Sequence, residues 1–444
     1  MRVTGWECLV CGAVVDVATP FPWRCPNSTA TDRRHVLAIV QGELDGHEEI
    51  ANGAFVGHEI AAHPPLDATA NPFITYDSDL AWAAFAHANG IDAAARRTMI
   101  TELDDAVREV AGVGFVPTPF ARSAELSDAL GFADGGGVWV KDETGGVGGS
   151  QKARHLFTIL LHLVAAERLG HLSQRPPLAI ASCGNAALAA ATLAAAAAWP
   201  IDVYVPTWMT DGFGTELDRL GARVHRCERR TADSAGDPAM FRFREAVDAG
   251  AIPFTVQGPE NALALDGGRT IGWEIGDQLA QAGVEHLDRV FVQVGGGAFA
   301  ACLGAGLRDA AGQIRLIAVQ AAGCAPLRRA WERAGSDLDG GARHLAERWG
   351  ELMTPWQHPQ SFADGILDDE TYDWLGVIDA IGGAWGDAPV VAAEADVVAA
   401  HQLARSAGFD VSPTGSAGLA GLLASIDAIQ PTEQVIVVIS GLAR

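Results

Sequence analysis

From Val138 to Ile439 the chain alternates short apolar runs with helix-patterned stretches, and no other feature constrains its fold as much. The apolar runs are Val138–Lys141, Leu178–Ala181, Ile201–Val205, Ala222–Arg226, Ile252–Val256, Arg289–Val294, Ile314–Val319 and Gln434–Ile439. Between them the spacing predicts helices over Lys152–Leu169, Asn185–Ala198, Gly214–Leu220, Met240–Ala249, Gly268–Ala282 and Phe299–Ala310, with two more after Glu394 and Gly415. Strands separated by helices pair in parallel through crossover connections, and the helices cover both faces of the sheet. The expectation is therefore an α/β fold built on open parallel sheets. Upstream, His35–Val40 reads as a strand, and Leu80–Ala88 and Asp92–Ala111 read as helices broken at Asn89-Gly90.

Ligands in such folds sit at the carboxyl ends of strands, where glycine-rich turns open helices. Four turns qualify: Gly145 to Lys152, Ala181 to Ala187, Val294 to Ala300, and the C-terminal Ile439-Ser440-Gly441. The first contains a lysine, and lysine is scarce here. Of 31 basic residues 29 are Arg, so the two lysines, Lys141 and Lys152, stand where Arg could not substitute. A buried Lys amine can lose its proton and attack an aldehyde, which a guanidinium cannot do.

The formal charge of −24 argues against a nucleic-acid partner and an anionic membrane surface, since both need a basic face. The most apolar run, Ala186 to Trp199, is too short to span a bilayer. No apolar signal core follows the basic start, and seven cysteines, an odd number, suit a reducing compartment, so a cytoplasmic protein is expected. The N-terminal stretch carries its own signal. Cys8, Cys11 and Cys25 have the spacing of three ligands of a zinc ribbon, but Ser28 occupies the regular fourth place. His35 is the residue that could complete the set, and the reading leaves open whether zinc binds or the ribbon is degenerate.

Together the four turns resemble the pyridoxal-phosphate (PLP) enzymes of the tryptophan synthase β-like fold, the family of threonine synthase and the serine/threonine dehydratases. The lysine motif is Trp139-Val140-Lys141-Asp142-Glu143 with Gly149-Ser150-Gln151-Lys152-Ala153-Arg154. The resemblance implies that Lys152 forms the imine with the cofactor, and that Asn185, in Ser182-Cys183-Gly184-Asn185, bonds its phenolic oxygen. It also implies that Ser182, Cys183 and Gly184 receive the substrate carboxylate, that Gly295, Gly296, Gly297 and Ala298 hold the phosphate, and that Ser440 faces the pyridine nitrogen. The domains it implies are a ribbon-like segment over 1–40, a large cofactor domain over 41–164 plus 261–444, and a small mobile domain over 165–260. A homodimer is expected. Gln151 departs from the pattern, as Phe or His is usual before the lysine.

The chemistry implied is α-deprotonation of an amino acid by the freed Lys152 amine, followed by loss of a β-substituent. A neutral partner at the pyridine nitrogen moderates the electron sink and suits β-elimination. Asp266-Gly267-Gly268-Arg269-Thr270-Ile271 leans toward threonine synthase, whereas Phe362-Ala363-Asp364-Gly365-Ile366 and Ser412-Pro413-Thr414-Gly415-Ser416-Ala417 echo the dehydratases. Threonine synthase needs cations for a second phosphate. Lys141, Arg154 and Arg269 are candidates, although Lys141 and Arg154 also read as structural partners of Asp142 and Glu143. The reading favours a lyase acting on a β-hydroxy amino acid, with threonine synthase as the alternative. A dinucleotide-binding oxidoreductase also fits Gly295-x-Gly297-x-x-Ala300, but the acidic residue it needs is absent where the next strand ends in Val319-Gln320.

Overall fold

The computed structural model describes residues 1–29, 31–42, 66–231, 233, 236–312, 314–383 and 386–443. Residues 43–65, which fall in the expected large domain, lie outside the described residues. Strands β1 (Val3–Cys8), β2 (Val14–Asp16) and β3 (Leu37–Gln41) form a small antiparallel sheet in the order β2-β1-β3.

The main sheet has six strands: β4 (Phe120–Ser123), β5 (Gly137–Asp142), β10 (Arg289–Gln293), β11 (Leu316–Ala321), β12 (Val390–Ala392) and β13 (Gln434–Ile439), in the order β12-β11-β10-β13-β5-β4. All neighbours pair in parallel except β4, which runs antiparallel to β5 at one edge. The central strands are buried almost end to end, as a sheet covered on both faces requires. A second, four-stranded parallel sheet holds β6 (Leu178–Ala181), β7 (Ile201–Pro206), β8 (Arg223–Cys227) and β9 (Ile252–Pro253), in the order β8-β7-β6-β9. The α/β fold with parallel-rich sheets is thus the one expected.

The Asn185–Ala196 helix is made of small apolar residues and is buried along nearly its whole length. It packs in one apolar cluster with the Lys152–Arg168 helix, the Ala81–Ala88 and Ala93–Ala111 helices, and β6 and β7. Asp92 caps the Ala93–Ala111 helix through Ala95 N, and Gly112, left-handed at φ 75°, ends it.

Several expectations need correction. The run Ile252–Val256 is a strand only over Ile252–Pro253, with Phe254 N still donating to Ala179 O of β6 at 2.8 Å as the chain leaves the sheet edge. The strand expected from Ile314 begins at Leu316 and reaches Ala321. Edge strand β4 was not expected, since Pro119 just before it reads as a stiff extended entry. Between Pro326 and Ala380 no elements were expected, yet short helices cover Pro326–Ala334, Gly341–Glu347 and Trp374–Ala380.

Candidate active site

Lys152 is the first residue of its helix; the Gln151 side chain does not cap it, and Lys152 N donates to Ser150 Oγ at 3.4 Å. The turn before it is tied to the C-terminal strand: Glu143 N donates to Ile439 O at 2.8 Å, Gln151 N to Ser440 O at 3.3 Å, and Leu442 N to Gly149 O at 2.8 Å. The lysine turn and the Ser440 turn therefore form one unit. Burial pushes the Lys152 amine below its ordinary value, opposed by Asp368, Cys302 and Asp373. A lowered pKa favours the neutral amine needed of a nucleophile or base.

The Asp266–Ile271 motif packs against that helix. At Gly267 a Cβ would lie 2.0 Å from Arg154 O, and at Gly268 one would lie 2.2 Å from Cys302 Sγ. Asp266 accepts from Ala81 N at 2.9 Å and pairs with Arg269 at 2.8 Å. The Asp266–Ile271 motif is thus a close-packing device.

The other lysine does not face this cleft. Lys141 is fully buried and donates to Glu274 at 2.6 Å, Gln278 at 2.9 Å and Thr118 O at 3.0 Å. Arg154 binds the same Glu274 at 2.6 Å and Glu143 at 3.2 Å. The expected partner Asp142 instead accepts from Thr144, at 2.6 Å from its hydroxyl. All three cations offered for a second phosphate, Lys141, Arg154 and Arg269, are therefore bound to carboxylates.

Ser440 is 6% exposed, and its hydroxyl accepts from Gln293 Nε2 at the end of β10. Gln293 also donates to Gly415 O at 3.2 Å, and Ser440 N donates to the same oxygen at 3.1 Å. Gln293 was not singled out in the sequence, because a Gln ending an apolar strand carries no motif. The two dehydratase-like motifs meet each other: Gly365 N donates to Thr414 Oγ1 at 2.8 Å. Asn185 reaches the same corner, its Nδ2 lying 2.8 Å from where a Cβ on Gly441 would stand.

Ser182, Cys183 and Gly184 form the turn that opens the Asn185–Ala196 helix, whose N-terminus carries no side-chain cap and so presents N–H groups to an anion. Burial pushes the Cys183 thiol up to about 11, with Asp237 adding to the effect, so it is a neutral wall and not a nucleophile. Gly295, Gly296 and Gly297 lead into the Ala298–Ala311 helix, with Gly297 at φ 96°.

A residue the sequence reading missed joins these turns. Asp368 accepts a hydrogen bond from Gly296 N and lies within electrostatic reach of both Lys152 and Cys183. Burial pushes its carboxyl up to about 6, against the pull of Lys152. Asp373, which accepts from Gly258 N at 3.1 Å, is pushed up by burial to about 7.

These residues fit a pyridoxal phosphate. The glycine loop already binds the Asp368 carboxyl through Gly296 N, and a Cβ at Gly295 would lie 2.5 Å from Asp368 Oδ2, filling the cradle. A helix N-terminus, a lysine of lowered pKa and a neutral Ser–Gln pair complete a donor set that matches phosphate, aldehyde and ring nitrogen.

Away from the cleft, the structure gathers Cys8, Cys11, Cys25 and His35 into one cluster, while Ser28 turns aside and donates to Asp32 O at 3.3 Å.

A threonine synthase from Methanosarcina acetivorans is 25% identical over 316 residues, 70% of each chain. Among solved structures, threonine deaminase isoform 2 from Solanum lycopersicum superposes with a TM-score of 0.58 at 19% identity, covering 87% of this chain and 96% of that one. Diaminopropionate ammonia lyase from Escherichia coli gives 0.58 at 16% identity, covering 78% and 89%. A sequence profile described as pyridoxal-phosphate dependent enzyme matches residues 113–441, from the approach to β4 through the Ser440 turn, and the chain belongs to that family.

Proposed function

We propose that the chain is a β-eliminating lyase, a dehydratase or ammonia-lyase that converts a β-hydroxy amino acid to a keto acid and ammonia. The observation that carries this reading is the charge around Lys152 and Cys183. The groups acting on them are the carboxyls of Asp237, Asp364, Asp368 and Asp373 and the Cys302 thiol, while Lys141, Arg154 and Arg269 are each engaged by acids. None of these three cations is left to neutralise a second phosphate, whereas a hydroxyl-bearing side chain needs none.

In this reading the cofactor, when bound, draws electrons from the substrate's α-carbon and so acidifies its proton. Lys152 would hold the cofactor aldehyde, and its Nζ, of lowered pKa, is the base that would take the substrate's α-proton. Gly295 to Ala298 hold the phosphate, and Asn185 bonds the phenolic oxygen. Ser182, Cys183 and Gly184 receive the substrate carboxylate at the helix N-terminus. Ser440, held by Gln293, offers the ring nitrogen a neutral partner. That leaves the electron sink moderate and favours expulsion of the β-substituent over reprotonation at the α-carbon. The segment 165–260 closes over the bound substrate and excludes water. A homodimer belongs to the same proposal. No helix of the described residues is long and apolar enough to cross a membrane.

The test is a panel of serine, threonine, bulkier β-hydroxy amino acids, 2,3-diaminopropionate and O-phosphohomoserine, assayed for keto acid, ammonia and phosphate. Keto acid with equimolar ammonia from a hydroxy amino acid is the expected outcome. Phosphate and threonine from O-phosphohomoserine, with no keto acid from the others, would overturn the proposal.

A further inference from the structure

We propose that the N-terminal ribbon binds one Zn2+ through Cys8, Cys11, Cys25 and His35, a closed structural site apart from the cofactor cleft. One donor atom from each of these residues lies within 4.8 Å of every other. Cys11 Sγ and Cys25 Sγ are 3.5 Å apart, and Cys8 Sγ is 3.4 Å from His35 Nδ1. Zn–S bonds of about 2.3 Å in a tetrahedron place sulfurs about 3.8 Å apart, whereas a disulfide needs about 2.0 Å. The gap is that of ligands around an ion.

The chain builds this arrangement deliberately. Cys8 ends β1, and Gly12 N donates back to Cys8 O at 2.8 Å, closing a tight knuckle that carries Cys11. Leu9 N donates to Val36 O at 2.9 Å, which brings the start of β3, and with it His35, beside the knuckle. Asn27 supports two sulfurs: its backbone N–H points at Cys25 Sγ at 3.4 Å and its Nδ2 at Cys11 Sγ at 3.3 Å. Such N–H donors delocalise the charge of bound thiolates. His35 has its Nδ1 toward the sulfurs and its Nε2 3.5 Å from Asp32 Oδ2. A carboxylate on the far nitrogen of a metal-bound imidazole fixes its tautomer and raises its basicity. His35 thus replaces the ligand absent at position 28. Four protein donors leave no open position, so the metal has no catalytic role.

The ribbon's loop is stapled to the enzyme body. Pro20 O accepts from His162 on the Lys152–Arg168 helix at 2.7 Å, Trp23 O accepts from Ala262 N at 2.9 Å, and Arg33 pairs with Asp248 at 2.7 Å. An ion that fixes Cys25 therefore fixes the strap joining the lysine helix to the segment before Asp266.

The full chain, purified with its cofactor from zinc-replete medium, is to be assayed for metal by mass spectrometry. One zinc per chain is expected. Cys25→Ser and His35→Ala should fall below roughly a tenth of that, and Cys227→Ser, outside the cluster, should keep it. Asp32→Asn should retain the site with zinc affinity lowered by roughly 10–100-fold. Where Cys25→Ser fails to fold, cobalt exchanged into the wild-type chain decides, by the intense visible bands of tetrahedral thiolate-bound Co2+. Folded wild-type protein that takes up neither zinc nor cobalt, or that shows a Cys11–Cys25 disulfide by peptide mapping, would overturn the proposal.

Discussion

Two lysines in a chain of 29 arginines were the strongest residue-level signal, and they turn out to be retained for different physical reasons. Lys141 places a compact ammonium among Glu274, Gln278 and Thr118 O, three acceptors for its three protons, with the Arg154 guanidinium already beside it. The sequence could mark Lys141 as special but could not name Glu274 as its partner, because the pair is separated by 133 positions. Lys141→Met leaves Glu274 and Gln278 short of a buried donor and is expected to lower stability by about 3–5 kcal/mol, read by urea denaturation. It should leave cofactor absorbance at saturating pyridoxal phosphate intact. Loss of the cofactor signal without loss of stability would mean that Lys141 is in the cleft.

At the scale of elements, the four turns were legible because each couples glycine or a hydroxyl to the end of an apolar strand. The stretch from Pro326 to Ala380 was not. Its helices are short and separated by Gly and Pro, so no period develops long enough to be read, and Asp368 and Asp373 were missed with it. Their carboxyls carry a pH dependence whose sign is fixed. Both have raised folded-state values, about 6 and about 7, above an ordinary 3.8. Between those limits the folded state binds more protons than the unfolded one, so stability falls as pH rises from about 4 to about 7. Denaturation of cofactor-free protein across that range should show the decline, and Asp373→Asn should flatten it. A stability that climbs through the same window in both proteins would contradict the burial of these groups. For Asp368→Asn, removing a negative charge from Gly296 is expected to tighten pyridoxal phosphate binding several-fold at pH near 8, measured by fluorescence titration.

For the whole molecule, strand and helix alternation was enough to expect parallel sheets, since parallel neighbours need a crossover connection and a helix is the usual one. It could not reveal the antiparallel edge strand β4, whose four residues follow a proline, nor how the strands divide between two sheets. That division depends on contacts far apart in the chain: β5 is inserted beside β13, nearly three hundred residues away. The C-terminal strand thereby brings Ser440 against the lysine turn, and the cleft comes from both ends of the sequence.

The claim on which the account rests is that Lys152, and no other residue, holds the cofactor. Borohydride reduction of the purified protein in the presence of pyridoxal phosphate, followed by proteolysis and mass spectrometry, tests it most directly. A single reduced pyridoxyl label on Lys152 is expected, absent in Lys152→Ala, with turnover in that variant lower by roughly 10²–10⁴-fold. A label on Lys141, or cofactor retained with no labelled lysine at all, would contradict it.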